Sequence, residues 1–564
     1  MRTVDVPVLI VGAGPVGLVG SILCARSGLP ALVVDRRDGP HRAPQAHVVN
    51  SRTLEICRGL GFDMGRLREL ATPREDGSVT RWVTTLTGTE FGALPYERQG
   101  DDTLAVTPHP LLNLSQHLFE PVLLERAREE DAIDVAYRHT WESLEQDDDG
   151  VTSVVRDEAT GERFAVRSRW LLAADGAGSW VRNGLGIGVT GPDRLQSFVM
   201  IHFEANLRPL VAERPAILYW VMDPACRGTF VAHDMDSTWV YMHPFDPLTD
   251  DRDRYDERRC REIVATAIGR DDVEFAIRDT SAWTMTAQVA DRYRDGRVFL
   301  VGDSGHRFPP TGGMGMNTGI QDVHNLVWKL AAVDGGTAGP ALLDTYESER
   351  KPVAEHNAEV SLANAMKMFD VLAAVGVGDD EAAVRAEMLR RLASPVERAQ
   401  IDAAIDGQQE HFDMLGLQLG FAYRAGAIVD DGSPAPDVAN PVREFVPTTR
   451  PGARLPHAEV VRGGRCVSTL DLVEPRGLTL FVSTERAAWD RAATAVGGAI
   501  AGVFGPGVEF DDTDGRWSSL CEIEADGALL LRPDQHVAWR VRCAPDDPEG
   551  ALRAAVAAVV ARAD

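Results

Sequence analysis

The chain has 564 residues, too many for one hydrophobic core, so it divides into several domains. Its make-up, 44% hydrophobic and 25% charged, is that of an ordinary globular protein. With 58 basic against 85 acidic residues the formal net charge is −27, which argues against nucleic acid or an anionic membrane surface as the main partner.

Valine and leucine dominate Val6–Val11, which reads as a buried strand, and Gly12-Ala13-Gly14-Pro15-Val16-Gly17 follows as a full G-x-G-x-x-G. A helix runs on to Ser27, with Gly28 as its stop signal. The second strand, Ala31–Val34, ends at Asp35, with Arg36 beside it. Strand, glycine turn, helix, strand and acid at about twenty residues' spacing make the dinucleotide fingerprint. The glycines let the backbone approach a pyrophosphate, the helix N-terminus holds it, and Asp35 takes ribose hydroxyls. The same segment has the apolar look of a signal peptide, but Asp5, Gly12, Gly14, Pro15 and Gly17 fit a strand–turn–helix instead. No other run approaches a membrane span. The seven cysteines (Cys24, Cys57, Cys226, Cys260, Cys466, Cys521, Cys543) form no C-x-x-C pair and no zinc spacing, as expected of reduced thiols in a cytoplasm.

Farther on, Pro44–Glu55 is a polar turn containing His47 that leads into a helix, and Ser115-Gln116-His117-Leu118 opens another. The Gln116 amide is either an exposed helix-start group or a contact for a cofactor chain. Trp170–Ala174 is a strand ending in Asp175-Gly176, with Ser179 and Arg182 behind it. Between about 190 and 285 the runs Ile217–Met222, Thr229–His233 and Trp239–His243 stand at hairpin spacing and predict an inserted antiparallel sheet. Arg297–Val301 is again a strand, and it leads into Gly302-Asp303-Ser304-Gly305-His306 and a Pro/Gly-rich turn through Gly319. Ile320, Val323, Leu326, Val327 and Leu330 then recur at helical spacing. That helix start offers free N–H groups to an anion, and Asp303 at the strand end can accept from a sugar hydroxyl. Residues 351–420 read as two or more helices broken near Gly376-Val377-Gly378, and residues 430–437 as a linker. Beyond it, a strand at Leu478–Val482, a helix around Glu485–Ala495, a hairpin through Leu529–Trp539 and a final helix near Glu549 predict a small α/β unit.

Together, Gly12–Gly17 with Asp35, Asp175-Gly176 with Arg182, and Gly302-Asp303 with its loop resemble the class A FAD-dependent aromatic hydroxylases of the para-hydroxybenzoate hydroxylase fold. The C-terminal part, through Leu531-Arg532-Pro533-Asp534 and His536–Arg540, is similar to the thioredoxin-like domain of the phenol hydroxylase branch, which includes dichlorophenol hydroxylases and oxygenases of aromatic polyketides. The resemblance implies an α/β architecture: a Rossmann-type FAD-binding domain (1–188 and 285–355), an inserted sheet domain for substrate (189–284), a helical segment (356–428) and the thioredoxin-like unit (440–564). Without a C-x-x-C pair that unit cannot do dithiol chemistry and would be structural or a homodimer contact.

By position, the resemblance gives Gly12, Gly14, Pro15, Val16 and Gly17 to the FAD pyrophosphate, Asp35 and Arg36 to the adenosine side, and Gln116 to the flavin-side chain. It gives Asp303 to the ribityl or pyrophosphate end, and Gly313, Gly315, Met316 and Asn317 to the pyrimidine edge of the isoalloxazine. Asp175 belongs to a motif linked to both FAD and the nicotinamide nucleotide. NADPH or NADH would act transiently as cosubstrate, there being no second Rossmann motif. The reaction so implied is hydroxylation of a phenolic, even polycyclic, aromatic with O₂ through a flavin C4a-hydroperoxide, without nucleic acid or membrane. His47 falls where yeast-type phenol hydroxylase carries an aspartate base, so base and structural histidine both stay open. The competing outcomes are a Baeyer–Villiger or oxidase-type flavoenzyme and an inactive FAD-binding protein; a halogenase lacks its W-x-W-x-I-P segment here.

Overall fold

The computed structural model describes residues 2–378 and 380–562, so Met1, residue 379 and the last two residues of the expected C-terminal unit lie outside the described residues. Five parallel strands run in the order Val298–Leu300, Arg163–Ala173, Thr3–Val11, Ala31–Asp35 and Ile133–Tyr137, with antiparallel additions at the edge and on Arg163–Ala173. The central runs Val8–Val11, Ala31–Val34, Leu171–Ala173 and Val298–Leu300 are apolar and buried, as strands in the middle of a parallel sheet require, while the outer ends of Arg163–Ala173 and Thr3–Val11 carry polar residues. The helices Pro15–Arg26 and Met314–Asp334 pack together over this sheet, close enough that a Cβ on Gly20 would lie 3.2 Å from Val323.

Strand order reverses between Thr3–Val11 and Arg163–Ala173, and the crevice beyond the carboxyl ends of the strands there is where ligands bind in open α/β sheets. Gly12, Asp35, Asp175 and Asp303 all lie at or just past those carboxyl ends. Four motifs far apart in sequence therefore meet at one edge because the sheet is parallel.

The second sheet has seven strands, in the order Ala276–Met285, Gln196–Glu204, Thr238–Phe245, Gly228–Asp234, Leu218–Val221, Val79–Val83 and Glu90–Pro95. It is antiparallel except where Leu218–Val221 runs parallel to Val79–Val83. Hairpin spacing flags the central strands, but not the last two, which come from residues 79–95 and join through a pairing over a hundred residues long-range. Alternation divides its faces. Val199, Ile201, Phe203, Phe230, Trp239 and Tyr241 pack under the helix Glu257–Ile268. Met200, Leu218, Trp220, Val231, Val240 and Met242 face a core shared with Val48, Tyr96 and Phe412 and with the helical segment.

That segment forms Thr345–Val375, Glu381–Ala393 and Pro395–Asp406, broken after Val375 by Gly376, whose φ of 112° no helix can carry. The C-terminal unit has a four-stranded sheet ordered Ile500–Phe504, Leu478–Val482, Ala528–Leu531, Val537–Val541, parallel for the first pair and antiparallel after it. The helices Ala487–Val496 and Pro548–Val559 share its core with Trp328 and Leu342 of the nucleotide-binding part. Among the described residues no helix is long and apolar enough to cross a membrane.

Candidate active site

Gly12 adopts φ 109°, and a Cβ there would run into the Ala174 carbonyl, while one on Gly17 would overlap the Gly12 carbonyl. Gly14 has nothing within 4 Å, so the cradle is closed behind and open in front. Pro15 begins the helix, where its missing N–H costs nothing, and no acidic residue stands in the first turn to compete with an anion.

Asp35 is buried at its strand end and already engaged. Its Oδ2 accepts from the Ala13 amide at 2.7 Å and Oδ1 from the Arg37 amide at 2.8 Å, while the Arg37 guanidinium bridges both oxygens. Burial opposes ionisation, but the Arg37 bonds win and hold the carboxyl below its ordinary range. Its lone pairs are thus filled, so a ribose reaches Asp35 only if the Arg37 side chain swings away. Arg36 is exposed and lies over the Trp180 ring, 5.7 Å from its centroid. The Gln116 amide donates to Glu120 at 2.6 Å, and Glu120 in turn accepts from His41. Glu120 is wholly buried, and only its three-dimensional partners single it out, for it is an ordinary helix glutamate by pattern.

Asp175 braces the start of the short helix Trp180–Gly184, whose N-cap is Ser179, by accepting from Ser179 Oγ and from the Val181 amide at 3.1 Å. Burial raises its pKa. Arg182 reaches across to the Ser304 carbonyl at 3.0 Å and so ties this strand end to the Gly302–Ser304 turn. Behind the turn, Asp322 accepts from the Gly302 amide (3.1 Å), His306 (2.8 Å) and Arg350 (2.8 Å), all inaccessible to solvent. Asp303 is solvent-accessible yet hemmed in by protein, as a group in a recess is, and that burial raises its pKa.

Gly312 and Gly313 have φ of 92° and 61°, and a Cβ on Gly313 would press into Val48. They turn the chain into the 21-residue helix Met314–Asp334, which has no acid in its first turn. Asn317 pins that turn: its amide donates to Gly313 O (2.7 Å) and Val48 O (2.9 Å), and its oxygen accepts from the Asn50 amide (3.0 Å) and Thr53 Oγ1 (2.7 Å). Gly315 lies so close to Asp303 that a Cβ there would be 3.9 Å from Oδ1; Met316 follows in the same turn.

His47 stands between this loop and the second sheet. Its Nε2 is 3.0 Å from the Tyr96 hydroxyl, and its ring meets His233 edge-on at 5.7 Å, which in turn meets His117 at 6.4 Å. Burial drives the His47 pKa down to about 4; burial and the neighbouring imidazoles push His233 well below its ordinary value. Burial therefore favours the neutral form of the His47 and His233 rings. Tyr96 and His233 carry no sequence signal, since one closes an edge strand and the other reads as core.

The chain's residues fit FAD. Two helix N-termini with no acid in their own first turns, an open glycine cradle and the Asp303 carboxyl converge on one crevice, which suits a pyrophosphate, a sugar-like chain and an electron-poor ring edge. A site of this kind on this fold defines a flavoprotein of the dinucleotide-binding class. The comparisons agree. Residues 5–361 match the FAD binding domain family and residues 448–563 the C-terminal domain of aromatic-ring hydroxylases. The chain is 34% identical to the 2,4-dichlorophenol 6-monooxygenase of Delftia acidovorans, over 99% of this chain and 98% of the relative. It superposes with TM-score 0.93 on the flavin-dependent monooxygenase PieE, solved with FAD and substrate, at 36% identity and full coverage of both chains. Aklavinone-11 hydroxylase, solved with FAD and aklavinone, gives TM-score 0.82 at 32% identity and 99% coverage of each. The chain belongs to the FAD-dependent aromatic-ring hydroxylases. It is an FAD-dependent monooxygenase, with NAD(P)H as cosubstrate.

Proposed function

We propose that this enzyme hydroxylates a phenolic aromatic large enough to span more than one ring, and that His47 with Tyr96 receives the phenol. The observation that carries this reading is the His47–Tyr96 pair beside a sheet face of Met200, Trp220 and Met242, an apolar and polarisable wall suited to flat rings. FAD held by these residues would supply the redox chemistry, namely hydride acceptance from NAD(P)H and activation of O₂.

The protein's own part is to bind, orient and keep dry. Gly12–Gly17 and the helix starting at Pro15 hold the pyrophosphate, and Asp303 a hydroxyl of the ribityl chain. The first turn around Gly313, Gly315, Met316 and Asn317 presents N–H groups that stabilise negative charge on the ring edge. Arg36 and Asp35 serve the adenosine side after the Arg37 side chain yields. His47 accepts the phenol proton at Nδ1 while Nε2 stays with Tyr96. A ring whose pKa is about 4 does so only if the phenolate remains beside it, because the resulting ion pair in a site of low dielectric compensates the burial. The domain limits 1–188, 189–284, 285–355, 356–428 and 440–564 belong to this reading, as do a cytoplasmic location, which seven unpaired cysteines support, and a homodimer.

The test is NAD(P)H oxidation with a panel of mono- and polycyclic phenols under ¹⁸O₂. One ¹⁸O entering the ring, with NAD(P)H and product in equal amounts, supports the reading. A ring-expanded lactone would show a Baeyer–Villiger outcome instead, and peroxide with every phenol would overturn the hydroxylase reading. His47→Ala should lower kcat with phenols about 10²-fold or more.

A further inference from the structure

The helix Ser51–Gly59 is gripped on two opposite flanks. At its N-terminal end Asn50 caps it by accepting from the Thr53 amide at 2.9 Å, and Asn50 and Thr53 both donate to Asn317 in the flavin-side loop. Arg52 and Glu55 lie two positions along from Asn50 and Thr53, and at 100° per residue they point the other way. That side belongs to the C-terminal unit. Arg52 donates to Gln535 Oε1 and to the Asp534 carbonyl, both at 2.7 Å, and to Glu55 at 2.9 Å. Glu55 accepts from Arg454 Nε at 2.8 Å, from Arg454 Nη2, and from Thr107 at 2.7 Å. Arg52, Glu55 and Arg454 are at most 2% exposed. Burial opposes its ionisation, yet the Arg454 and Arg52 guanidiniums hold the Glu55 carboxyl down at about 2. The contact is therefore charged, dry and multiply bonded, unlike a surface that separates and rejoins.

We propose that the C-terminal unit acts as a clamp on the flavin-side loop, with Arg52 as the positioning residue that transmits the grip through one helix to Asn317. The inference rests on the reading of Gly313–Asn317 as a flavin contact. Bonds on both flanks fix the helix in roll and in translation. Asn317, whose four hydrogen bonds tie the Gly313 carbonyl to Val48, Asn50 and Thr53, can then hold the loop amides in one arrangement before FAD arrives. Such preorganisation raises affinity without adding any contact to the ligand.

The test compares Arg52→Met, the milder Gln535→Ala and a control, Arg476→Ala. Arg476 also crosses between the units, donating to the Arg26 carbonyl at 2.7 Å, but on the exposed side away from the loop. Amide hydrogen exchange of residues 311–319 is measured in the FAD-free protein, under conditions where global unfolding is slower than local opening. Exchange should rise about tenfold in both clamp variants, and not in the control. FAD Kd is then measured through a double-mutant cycle of Arg52→Met with Asn317→Ala. The side chains share no partner, so independent effects would multiply; a clamp gives a coupling of about threefold or more. Unchanged loop exchange in both clamp variants, or an equal rise in the control, overturns the proposal. If exchange responds while FAD Kd does not, the clamp stands and the assignment of the loop to the flavin falls.

Discussion

Replacing Glu349 by glutamine tests the buried ion network between the nucleotide-binding part and the C-terminal unit. Glu349 accepts from Arg532 at 2.7 and 2.8 Å, from Lys329 at 2.7 Å, from Asn325 at 2.6 Å and from the Ala427 amide at 2.8 Å, and none of these side chains is more than 1% exposed. Around it the cations Arg52, Arg454, Arg532 and Lys329 outnumber the carboxylates Glu55, Glu349 and Asp534 by one. Burial and the surplus positive charge are felt at Lys329, whose pKa falls to about 8. Removing the Glu349 charge leaves two cations buried against one remaining carboxylate, which costs about 3–5 kcal/mol. Lys329→Met does the reverse: it removes the surplus charge and leaves Glu349 well bonded, so its cost is about 1 kcal/mol. The double variant should be more stable than Glu349→Gln alone, with a coupling of about 1–3 kcal/mol. Urea unfolding at pH 7 followed by far-UV circular dichroism, on the FAD-saturated and FAD-free proteins, reads all three. Equal losses from the two single variants, or strict additivity in the double, would refute this account of the network.

Glu97 is buried with φ 53°, one oxygen unpartnered, and burial and Asp413 lift its carboxyl to about 8. Its folded pKa lies above the unfolded one, so the stability it allows is full below pH about 4.5 and is lost as pH rises towards 8. Glu97→Gln should gain about 2 kcal/mol at pH 7 and flatten the stability curve between pH 5 and 8; curves that stay parallel in urea titrations contradict this. His411 and His457 are 4% exposed, and burial lowers them to about 3 and about 4. They stay neutral in the fold while the unfolded chain takes up protons below about 6.5, so each contributes a loss of up to about 1.4 kcal/mol per pH unit as pH falls towards 4. Urea midpoints that do not move between pH 6.5 and 4.5 would disprove it. Gly319→Ala would place a Cβ 2.6 Å from Val16 and 2.8 Å from Gly302, forcing the helix off the glycine turns. It should cost about 1–3 kcal/mol and weaken FAD binding in a fluorescence titration, whereas Gly14→Ala, with open space around it, should leave the stability of the FAD-free fold within about 0.5 kcal/mol; equal effects from the two would rule out the packing argument.

By itself the sequence determined whatever depends on neighbours a few residues apart. The Gly12–Gly17 turn, the strand ends at Asp35, Asp175 and Asp303, and the helix started by Gly312–Gly313 were all legible, because a strand's apolar run and a glycine's φ are local properties. Even the convergence of these motifs was foreseeable, since parallel strands put all their carboxyl ends at one edge. Pairings across long stretches of chain were decided only in three dimensions. The strands of residues 79–95 alternate too weakly to announce that they extend the second sheet, and it is that placement which sets Tyr96 against His47. Asp35 had the right position for a ribose, yet only the folded chain reveals Arg37 filling its lone pairs. Arg52, Glu55, Arg454 and Glu349 look like surface charges on helices and loops. Docking of the C-terminal unit buries them, and once dry they must satisfy one another, because an unpaired charge in that interior costs more than the interface could return.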